Sequence, residues 1–460
     1  MKHQREHWAS RLGFLMAAIG SAVGIGTLWQ FPYVTGENGG GLFVLVYLIC
    51  TIFIGIPVLV GELILGRRAQ RGAVGIFATL AHGSRNWKMV GWLSVASPLL
   101  ILSYYNVVGG WGLSYVLLSL QQFYRERTTD EIRQVFDILH SSGDICLLFQ
   151  FLFTLIIVGM VYQGIRKGIE YWSRVMTISL LVILVALFAY SLTLSGFPEA
   201  FRFVLSFDAS KLRPSGILEA LGLAFFTLSL GQGVMLTYGS YMQKSEDIPK
   251  ISAIVGVADV VVSLLAALVI FPVIFTFGFS PDEKQGLIFK TLPVLFAKLP
   301  GALVISTTFF VLFTFAALTS AIAMLEVIVA NLMDLYGWSR RKSTLTSGLV
   351  VFLIGIPSAL SGTHALFPAW LPMYGQTFFQ TINSLVNLWI LPLSAFLISI
   401  FVGWSLPKED VEEEFKTGSL YGATFPIFRF FLRWIVPIAI FLVVLQQAGL
   451  IDIDSLFRTA

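Results

Sequence analysis

Long apolar runs separated by short polar segments dominate this sequence. Eleven runs have the length of about 20 residues that a helix needs to cross a bilayer. They cover residues 12–35, 41–66, 88–122, 146–163, 171–194, 214–242, 251–279, 302–336, 345–361, 376–403 and 426–449. The pattern predicts an all-α polytopic membrane protein with about 11 transmembrane helices, in a single domain over residues 1–460.

Glycine interrupts two of these runs. The first break is residues 20–26 (GSAVGIG) and the second is residues 229–233 (SLGQG). Glycine destabilises a helix interior, and unpaired backbone within a membrane is tolerated only in protein or beside a water-filled cavity. Small residues that allow close helix packing are the alternative reading. Two interrupted spans in corresponding halves favour the binding site of a transporter.

The composition agrees with a membrane protein. The chain is 56% hydrophobic and only 12% charged, whereas soluble domains carry roughly 25% charged residues. The net charge of +4 comes from basic residues in short loops, so it indicates a lipid bilayer as the partner and not a nucleic acid. Two cysteines without a close partner indicate neither a disulfide framework nor a metal site.

The basic residues predict the orientation. About two thirds of the 30 Lys and Arg residues fall on one side if the N-terminus is cytoplasmic. We therefore expect a multi-pass protein of the cell inner (plasma) membrane with a cytoplasmic N-terminus. On the outer side, residues 123–145 are expected to form a solvated cap. Residues 280–300 are expected to form either a lid that dips into an outward vestibule or an ordinary loop.

Short motifs along the whole chain resemble those of the neurotransmitter:sodium symporters. They lie at residues 5–14 (REHWASRLGF), 31–33 (FPY), 37–41 (ENGGG), 55–67 (GIPVLVGELILGR), 225–231 (FFTLSLG), 318–320 (LTS) and 391–393 (LPL). The resemblance implies a LeuT-type fold of the bacterial eleven-span branch, with helices 1 and 6 unwound at the midplane. It also implies a 5+5 inverted repeat, with repeat one at about 12–194, repeat two at about 214–403 and an extra helix at about 426–449.

The resemblance implies a first sodium site, site A. Its members are the carbonyls of Gly20, Val23 and Ala316 and the hydroxyls of Thr319 and Ser320. The alternative is that both hydroxyls bond to their own helix backbone.

A second sodium site, site B, is implied at Ala22, Thr27, Thr227 and Asp259. The family often has Asn at position 27 and Asn in some members at position 259. A carboxylate within the membrane is a functional hypothesis by default, although a protonated Asp259 sealed among helices is the alternative. The resemblance therefore implies one or two Na⁺ ions.

Chloride-dependent relatives use a Tyr, a Gln and two hydroxyl residues near site B. Tyr47, Thr227 and Ser263 match, but Leu223 stands where Gln is expected. Because Asp259 can supply the compensating negative charge, the sequence argues against a chloride requirement without excluding it.

The substrate pocket is expected at the two breaks. Family members that carry monoamines have an Asp where this chain has Gly24, so a substrate with its own carboxylate is favoured. The amides of Ile25 and Gly26, at the N-terminal end of a half-helix, suit that carboxylate, and Tyr105 would add its hydroxyl. Tyr105 as a packing residue is the alternative.

Further pocket members follow from the resemblance. The substrate amino group is expected at the carbonyls of Ala22, Phe226, Thr227 and Ser229. The side-chain subsite is expected to be lined by Ile101, Phe226, Gln232, Ser320 and Met324. These mostly apolar walls favour a neutral, hydrophobic L-amino acid, with leucine, methionine and the aromatic amino acids all open.

Two gates are implied. On the cytoplasmic side, Arg5 and Asp334 match an ion pair, with Trp8, Tyr241 and Glu326 nearby; for Arg5 a simple orientation role is the alternative. On the outer side the family often has a charged pair. This chain has two amides there, Gln30 and Asn383, which are expected to hydrogen-bond, with Gln380 as the competing partner.

We therefore expect a sodium-coupled symporter that imports an amino acid by alternating access. A receptor-like binder of the same fold with little net transport is the alternative. The chain has no nucleotide-binding loop, HExxH helix or GxSxG elbow, so it is not expected to be an enzyme. It also has no repeated pore loop of the kind that a channel would need.

Overall fold

The computed structural model describes residues 5–207, 212–280, 286–363, 365–452 and 454, and every regular element in these ranges is helical. Nine helices in them are long and apolar enough to cross a membrane. A tenth span is a pair of helices bent by 46°. The remaining run, residues 214–242, contains two helices of 14 and 6 residues, and each is too short to cross alone.

We number the spans in chain order. They are span 1 (Arg11–Ala22 and Gly26–Glu37), span 2 (Gly41–Ala69), span 3 (Arg85–Leu120), span 4 (Gly143–Tyr162), span 5 (Ile165–Ser191), span 6 (Pro214–Thr227 and Val234–Gly239), span 7 (Ile248–Thr276), span 8 (Ala302–Tyr336), span 9 (Arg340–Ala359), span 10 (Phe378–Ser405) and span 11 (Gly422–Gln447). Shorter helices are Ala73–Leu80, Thr129–Ser141, Phe197–Leu205, Leu287–Ala297, Trp370–Tyr374 and Lys408–Lys416. Each predicted run corresponds to one span in the same order.

Local sequence explains where several spans begin. Ser10 accepts a hydrogen bond from Gly13 N at the start of span 1, and Asp247 and Ser339 cap spans 7 and 9 in the same way. These short polar side chains satisfy amides that the first helical turn leaves without a partner. The spans are thus set by apolar length and by polar caps at their ends.

Span 8 lies at the centre of the bundle. Its most apolar stretch is 89% buried, compared with 33% for spans 5 and 11. Span 3 packs along span 8, and the N-terminal half of span 1 (Arg11–Ala22) packs on spans 5 and 8. Spans 5 and 11 are therefore the most lipid-facing of these helices, whereas spans 1, 3 and 8 surround the interior.

The two outer segments are more structured than the sequence indicated. Residues 123–145 contain the helix Thr129–Ser141, whose residues Ile132, Val135 and Leu139 are buried, while most of the segment is exposed, as the predicted solvated cap requires. Apolar positions on one face bury this helix against its neighbours. Residues 281–285 of the predicted lid lie outside the described residues, but the helix Leu287–Ala297 that follows is largely buried. Lys290 pairs with Asp137 at 2.6 Å and joins the two segments.

Candidate functional site

The first break interrupts span 1 between Ala22 and Gly26. The last backbone hydrogen bond of the N-terminal half of span 1 runs from Val23 N to Ile19 O at 2.8 Å. No residue of this break is among the positive-φ residues of the described chain, so its glycines are needed for space. A Cβ on Gly24 would overlap Ser320 Oγ, and one on Gly26 would lie 2.6 Å from Phe226 Cδ1. Glycine here lets neighbouring spans approach the backbone.

The second break interrupts span 6 over residues 228–233, and its backbone is unusual. Ser229, Gly231 and Gly233 have φ values of 55°, 71° and 71°, in the left-handed region. Gly231 N donates to Glu62 Oε1 at 2.8 Å, which pairs one amide freed by the break. A Cβ on Gly231 would lie 2.7 Å from Leu391 O, and one on Gly233 would lie 2.6 Å from Ser94 O. These glycines are required both for conformation and for space.

Hydroxyl groups join the two breaks to span 8. Ser229 Oγ donates to Ser21 O at 2.9 Å, and Ser320 Oγ donates to the same carbonyl at 3.0 Å. Ser21 Oγ also donates to Ser229 Oγ at 3.2 Å. Ser21 thus lies at the junction of spans 1, 6 and 8, a role that the sequence analysis missed although Ser21 is part of the first break.

A small cavity lies at this junction. Its lining consists of Ser21, Ala22, Gly24, Ile25, Gly26, Ile101, Tyr105, Phe226, Thr227, Ser229, Gln232, Ser320 and Met324. This set contains all twelve residues that were predicted to contact the substrate, and Ser21 in addition. The two breaks and spans 3 and 8 therefore enclose one space.

Two groups expected to hold the substrate carboxylate contact each other. Ile25 N donates to Tyr105 Oη at 3.2 Å, and Tyr105 is 3% exposed. A carboxylate at this position could accept from both the amide and the hydroxyl. A Cβ on Gly24 would lie 3.0 Å from Tyr105 Oη, so glycine lets the Tyr105 hydroxyl come close to the first break.

The structure brings part of site A together. A Cβ on Gly20 would lie 3.2 Å from Thr319 Cβ, so spans 1 and 8 touch at these two residues. Thr319 Oγ1 lies 3.0 Å from Ala316 O and donates within its own helix. Ser320 Oγ is instead directed at Ser21 O. Val23 lies at the end of the N-terminal half of span 1, one turn beyond Gly20.

Two of the predicted members of site B, Thr27 and Thr227, contact the fully buried carboxylate of Asp259, and Ala22 is joined to it through Thr27. Asp259 Oδ2 accepts from Thr227 Oγ1 at 3.0 Å, and Oδ1 accepts from Thr27 Oγ1 at 3.4 Å. Thr27 Oγ1 also lies 3.3 Å from Ala22 O. Tyr47 Oη donates to Asp259 Oδ2 at 2.6 Å. This all-oxygen set of carbonyl, hydroxyl and carboxylate fits a hard cation such as Na⁺.

The predicted cytoplasmic ion pair is formed. Arg5 Nη1 lies 2.6 Å from Asp334 Oδ2, and the Arg5 guanidinium lies 4.7 Å from the centre of the Tyr241 ring. Trp8 is 2% exposed and donates from Nε1 to Tyr238 O at 3.1 Å. Aromatic rings and an ion pair thus close this end of the molecule.

A second charged pair beside this gate was not predicted. Glu326 accepts from Arg340 Nη1 and Nη2 at 2.8 and 2.9 Å, and Tyr241 Oη donates to it at 2.6 Å. Such a two-point contact is a strong form of ion pair. In the sequence, Arg340 counts only as one of the basic residues that predict the orientation. Nothing in its spacing shows that the start of span 9 reaches Glu326.

The predicted hydrogen bond of the outer gate is absent. Gln30 and Asn383 line the same outer cavity, but the described chain has no hydrogen bond between them. Asn383 Oδ1 accepts instead from Asn387 Nδ2 at 2.9 Å, one turn along the same helix. Gln380 caps its own helix through Thr377. The expected amide pair was therefore wrong for this conformation, because each candidate partner of Gln30 has a nearer local partner.

Three large side chains separate the outer cavity from the cavity at the two breaks. Ile25, Tyr105 and Phe226 line both cavities, so they form the partition between them. Two broken spans, a cavity between them and a charged gate on one side define a membrane transporter of the broken-helix type.

The chain belongs to the sodium:neurotransmitter symporter family, whose model matches residues 5–133 and 122–455. It is 41% identical to the uncharacterised sodium-dependent transporter YhdH of Bacillus subtilis, over 97% of this chain and 98% of that protein. It is 32% identical to a sodium-dependent transporter of Haemophilus influenzae, over 96% of this chain and 98% of that protein.

The fold is similar to that of a solved transporter. The crystal structure of MhsT in complex with L-phenylalanine matches with a TM-score of 0.88 and 40% identity, over 96% of this chain and all of that chain. The LeuT-type fold and the family resemblance are thereby confirmed. The protein is a sodium-dependent, multi-pass membrane transporter.

Proposed function

We propose that this protein is a sodium-coupled symporter that imports a neutral, hydrophobic L-amino acid by alternating access. The observation that carries the proposal is the cavity at the junction of the two breaks, whose lining residues bear no ionised side chain. A neutral zwitterion fits such a lining because it brings both charges itself. MhsT, which is similar over nearly the whole chain, has been crystallised with L-phenylalanine.

Backbone groups supply the complementary polarity. The amides of Ile25 and Gly26 and the Tyr105 hydroxyl face the position proposed for the substrate carboxylate. The carbonyls of Ala22, Phe226, Thr227 and Ser229 would receive the ammonium. Because a Cβ at Gly24 would overlap Ser320 Oγ, no acidic side chain fits there to bind a simple amine. The proposal therefore favours amino acids over amines.

We also propose that two sodium ions accompany the substrate. Site B has Asp259 as its charged ligand, with Ala22, Thr27 and Thr227 around it, and the carboxylate would offset the ion's charge without chloride. Site A would use Gly20, Val23, Ala316, Thr319 and Ser320. Ser320 Oγ would have to turn from Ser21 O towards the ion, which is a change of χ1 rotamer.

The proposed topology completes the account. The N-terminus and the gate formed by Arg5, Trp8, Tyr241 and Asp334 would face the cytoplasm, in the inner (plasma) membrane. Repeats at about 12–194 and 214–403 would move relative to each other, and the helix at about 426–449 would lie outside them. Gln30 and Asn383 would come together only when the outer cavity closes.

Uptake by the full chain in proteoliposomes tests this function. We expect an inward sodium gradient to drive uptake of labelled leucine, methionine or an aromatic amino acid, and choline to abolish it. Replacing chloride by gluconate should leave uptake unchanged. Counterflow in preloaded vesicles separates the alternatives: sodium-dependent binding without counterflow would replace transport by a receptor-like function. The absence of any sodium dependence across the panel would overturn the proposal.

A further inference from the structure

Span 11 carries two arginines on one face near its first turns. Arg429 and Arg433 are four residues apart, so their side chains lie one above the other. The Arg433 guanidinium lies 4.0 Å from the centre of the Trp404 ring and 5.9 Å from that of Trp434. Trp404 Nε1 donates to Arg433 O at 3.0 Å and fixes the ring beneath the guanidinium. The end of span 10 thus holds one arginine of span 11 in a defined position.

Among the described residues, these two arginines form no ion pair with a carboxylate, although Glu409 and Glu412 are near enough to Arg429 to act on it electrostatically. Arg429 Nη1 and Arg433 Nε are buried atoms without a hydrogen-bond partner. Four carboxylates on the helix Lys408–Lys416 are already paired: Asp410 and Glu413 with Arg68, Glu414 with Arg67, and Glu412 with Lys416. The fifth, Glu409, acts on Arg429 without forming an ion pair. A buried donor without a partner is costly, and a charged one especially so. An anion from outside the chain would satisfy both groups.

An exposed apolar stripe continues from the arginines along span 11. Phe430, Trp434, Ile438 and Phe441 are 53%, 47%, 57% and 52% exposed, and their spacing places them on one face of the helix. Tryptophan is preferred at the membrane–water interface, and the stripe runs from Trp434 along the membrane-spanning part of the helix. A cationic end and an apolar track therefore adjoin each other.

We propose that Arg429, Arg433, Trp404 and Trp434 form a binding site for one anionic glycerophospholipid. The lipid phosphate would accept hydrogen bonds from the two guanidinium groups, which suit phosphate oxygens through their forked donors. An acyl chain would lie along the stripe of Phe430, Trp434, Ile438 and Phe441. Basic pockets between transmembrane helices are known to select anionic headgroups.

A general orientation role for these arginines makes a different prediction. Basic residues that only follow the positive-inside bias would bind no particular lipid. The stacking of Arg433 on Trp404, the unpartnered donors and the adjoining stripe all belong to a site of defined geometry. Lipid selectivity that depends on this pair is therefore the distinguishing property.

Native mass spectrometry of the full-length transporter tests the proposal. The protein would be extracted from equimolar phosphatidylglycerol and phosphatidylcholine with matched acyl chains, and retained lipid counted. We expect wild type to keep one phosphatidylglycerol, and Arg429→Gln/Arg433→Gln to lose its preference for phosphatidylglycerol by roughly tenfold or more. The matched control is Arg341→Gln/Lys342→Gln, which removes the same charge from cations that stack on Tyr162 and Trp338.

Three outcomes would overturn the proposal. These are equal phosphatidylglycerol retention in wild type and the Arg429/Arg433 variant, equal loss in the control variant, and displacement of the lipid by millimolar inorganic phosphate, which would indicate a site for a free anion. If the glutamine variant does not fold, Arg429→Lys/Arg433→Lys keeps both charges but not the forked donors. It should show an intermediate preference, and an unchanged preference would also count against the site.

Discussion

The two helix breaks look alike in sequence but differ in what glycine does in them. In the first break the backbone stays outside the left-handed region, and glycine admits side chains from spans 3, 6 and 8. In the second break three residues have positive φ, and the adjacent atoms are backbone carbonyls of other spans. A glycine-rich break can therefore create space for a ligand or fix an unusual chain path.

This difference assigns a separate task to each break. Contacts of the first break are with side-chain ends such as Ser320 Oγ and Phe226 Cδ1, which can move. Contacts of the second break are with Leu391 O and Ser94 O, which cannot move without shifting a helix. We infer that the first break can adapt to the substrate, whereas the second presents its carbonyls from a fixed framework.

Gly231→Ala should have the largest effect, on folding. Alanine at φ 71° costs about 1–2 kcal/mol, and its Cβ would lie 2.7 Å from Leu391 O. Gly278→Ala is the matched control, because Gly278 has φ 69° but nothing within 4 Å. Thermal unfolding in detergent should show a clearly larger loss for Gly231→Ala. Equal losses in the two variants would mean that the close approach to span 10 is unimportant.

Gly24→Ala should abolish substrate binding while leaving most of the stability. Its Cβ would overlap Ser320 Oγ and lie 3.0 Å from Tyr105 Oη, inside the cavity. We expect at least a tenfold loss in affinity by equilibrium binding. Gly222→Ala, in the other broken span, span 6, with nothing within 4 Å of its Cβ, should bind normally. Unchanged binding by Gly24→Ala would place the substrate elsewhere.

Gly20→Ala should weaken sodium activation more than substrate binding at saturating sodium. The new Cβ would overlap Thr177 Oγ1 and approach Thr319, and so would disturb site A. We expect a several-fold higher sodium concentration for half-maximal activity. The double variant Gly20→Ala/Thr177→Ala removes the overlap and should recover part of this loss. If the double variant is no better than the single one, the steric explanation fails.

The smallest effect is expected at Ser229. Ser229→Ala keeps the φ of 55° and loses the hydrogen bond to Ser21 O, so it should cost about 1 kcal/mol. Ser229→Gly loses the same bond but relieves the backbone strain, so its stability should be near that of wild type. Denaturant or thermal unfolding of both variants measures the difference. A Gly variant less stable than the Ala variant would contradict this account of the second break.

The sequence predicted the spans and both breaks because apolar length and clustered glycine are local signals. It also predicted twelve of the thirteen residues that line the cavity, through the family resemblance. It did not predict the contact between Arg340 and Glu326 or the place of Ser21, because both depend on how separate spans pack. It wrongly predicted a hydrogen bond between Gln30 and Asn383, since the motif gave no sign that Asn387 would donate to the Asn383 side chain.

Binding of L-phenylalanine and its two truncated analogues tests the central claim most directly. The claim is that the first break binds a carboxylate and that carbonyls of both breaks bind an ammonium, together with sodium. In sodium, phenethylamine and 3-phenylpropionate should each displace labelled L-phenylalanine at least about tenfold less well, because each leaves charged hydrogen bonds unmade. In potassium, L-phenylalanine binding should be lost. Equal displacement by either analogue, or equal binding in both salts, would contradict the account.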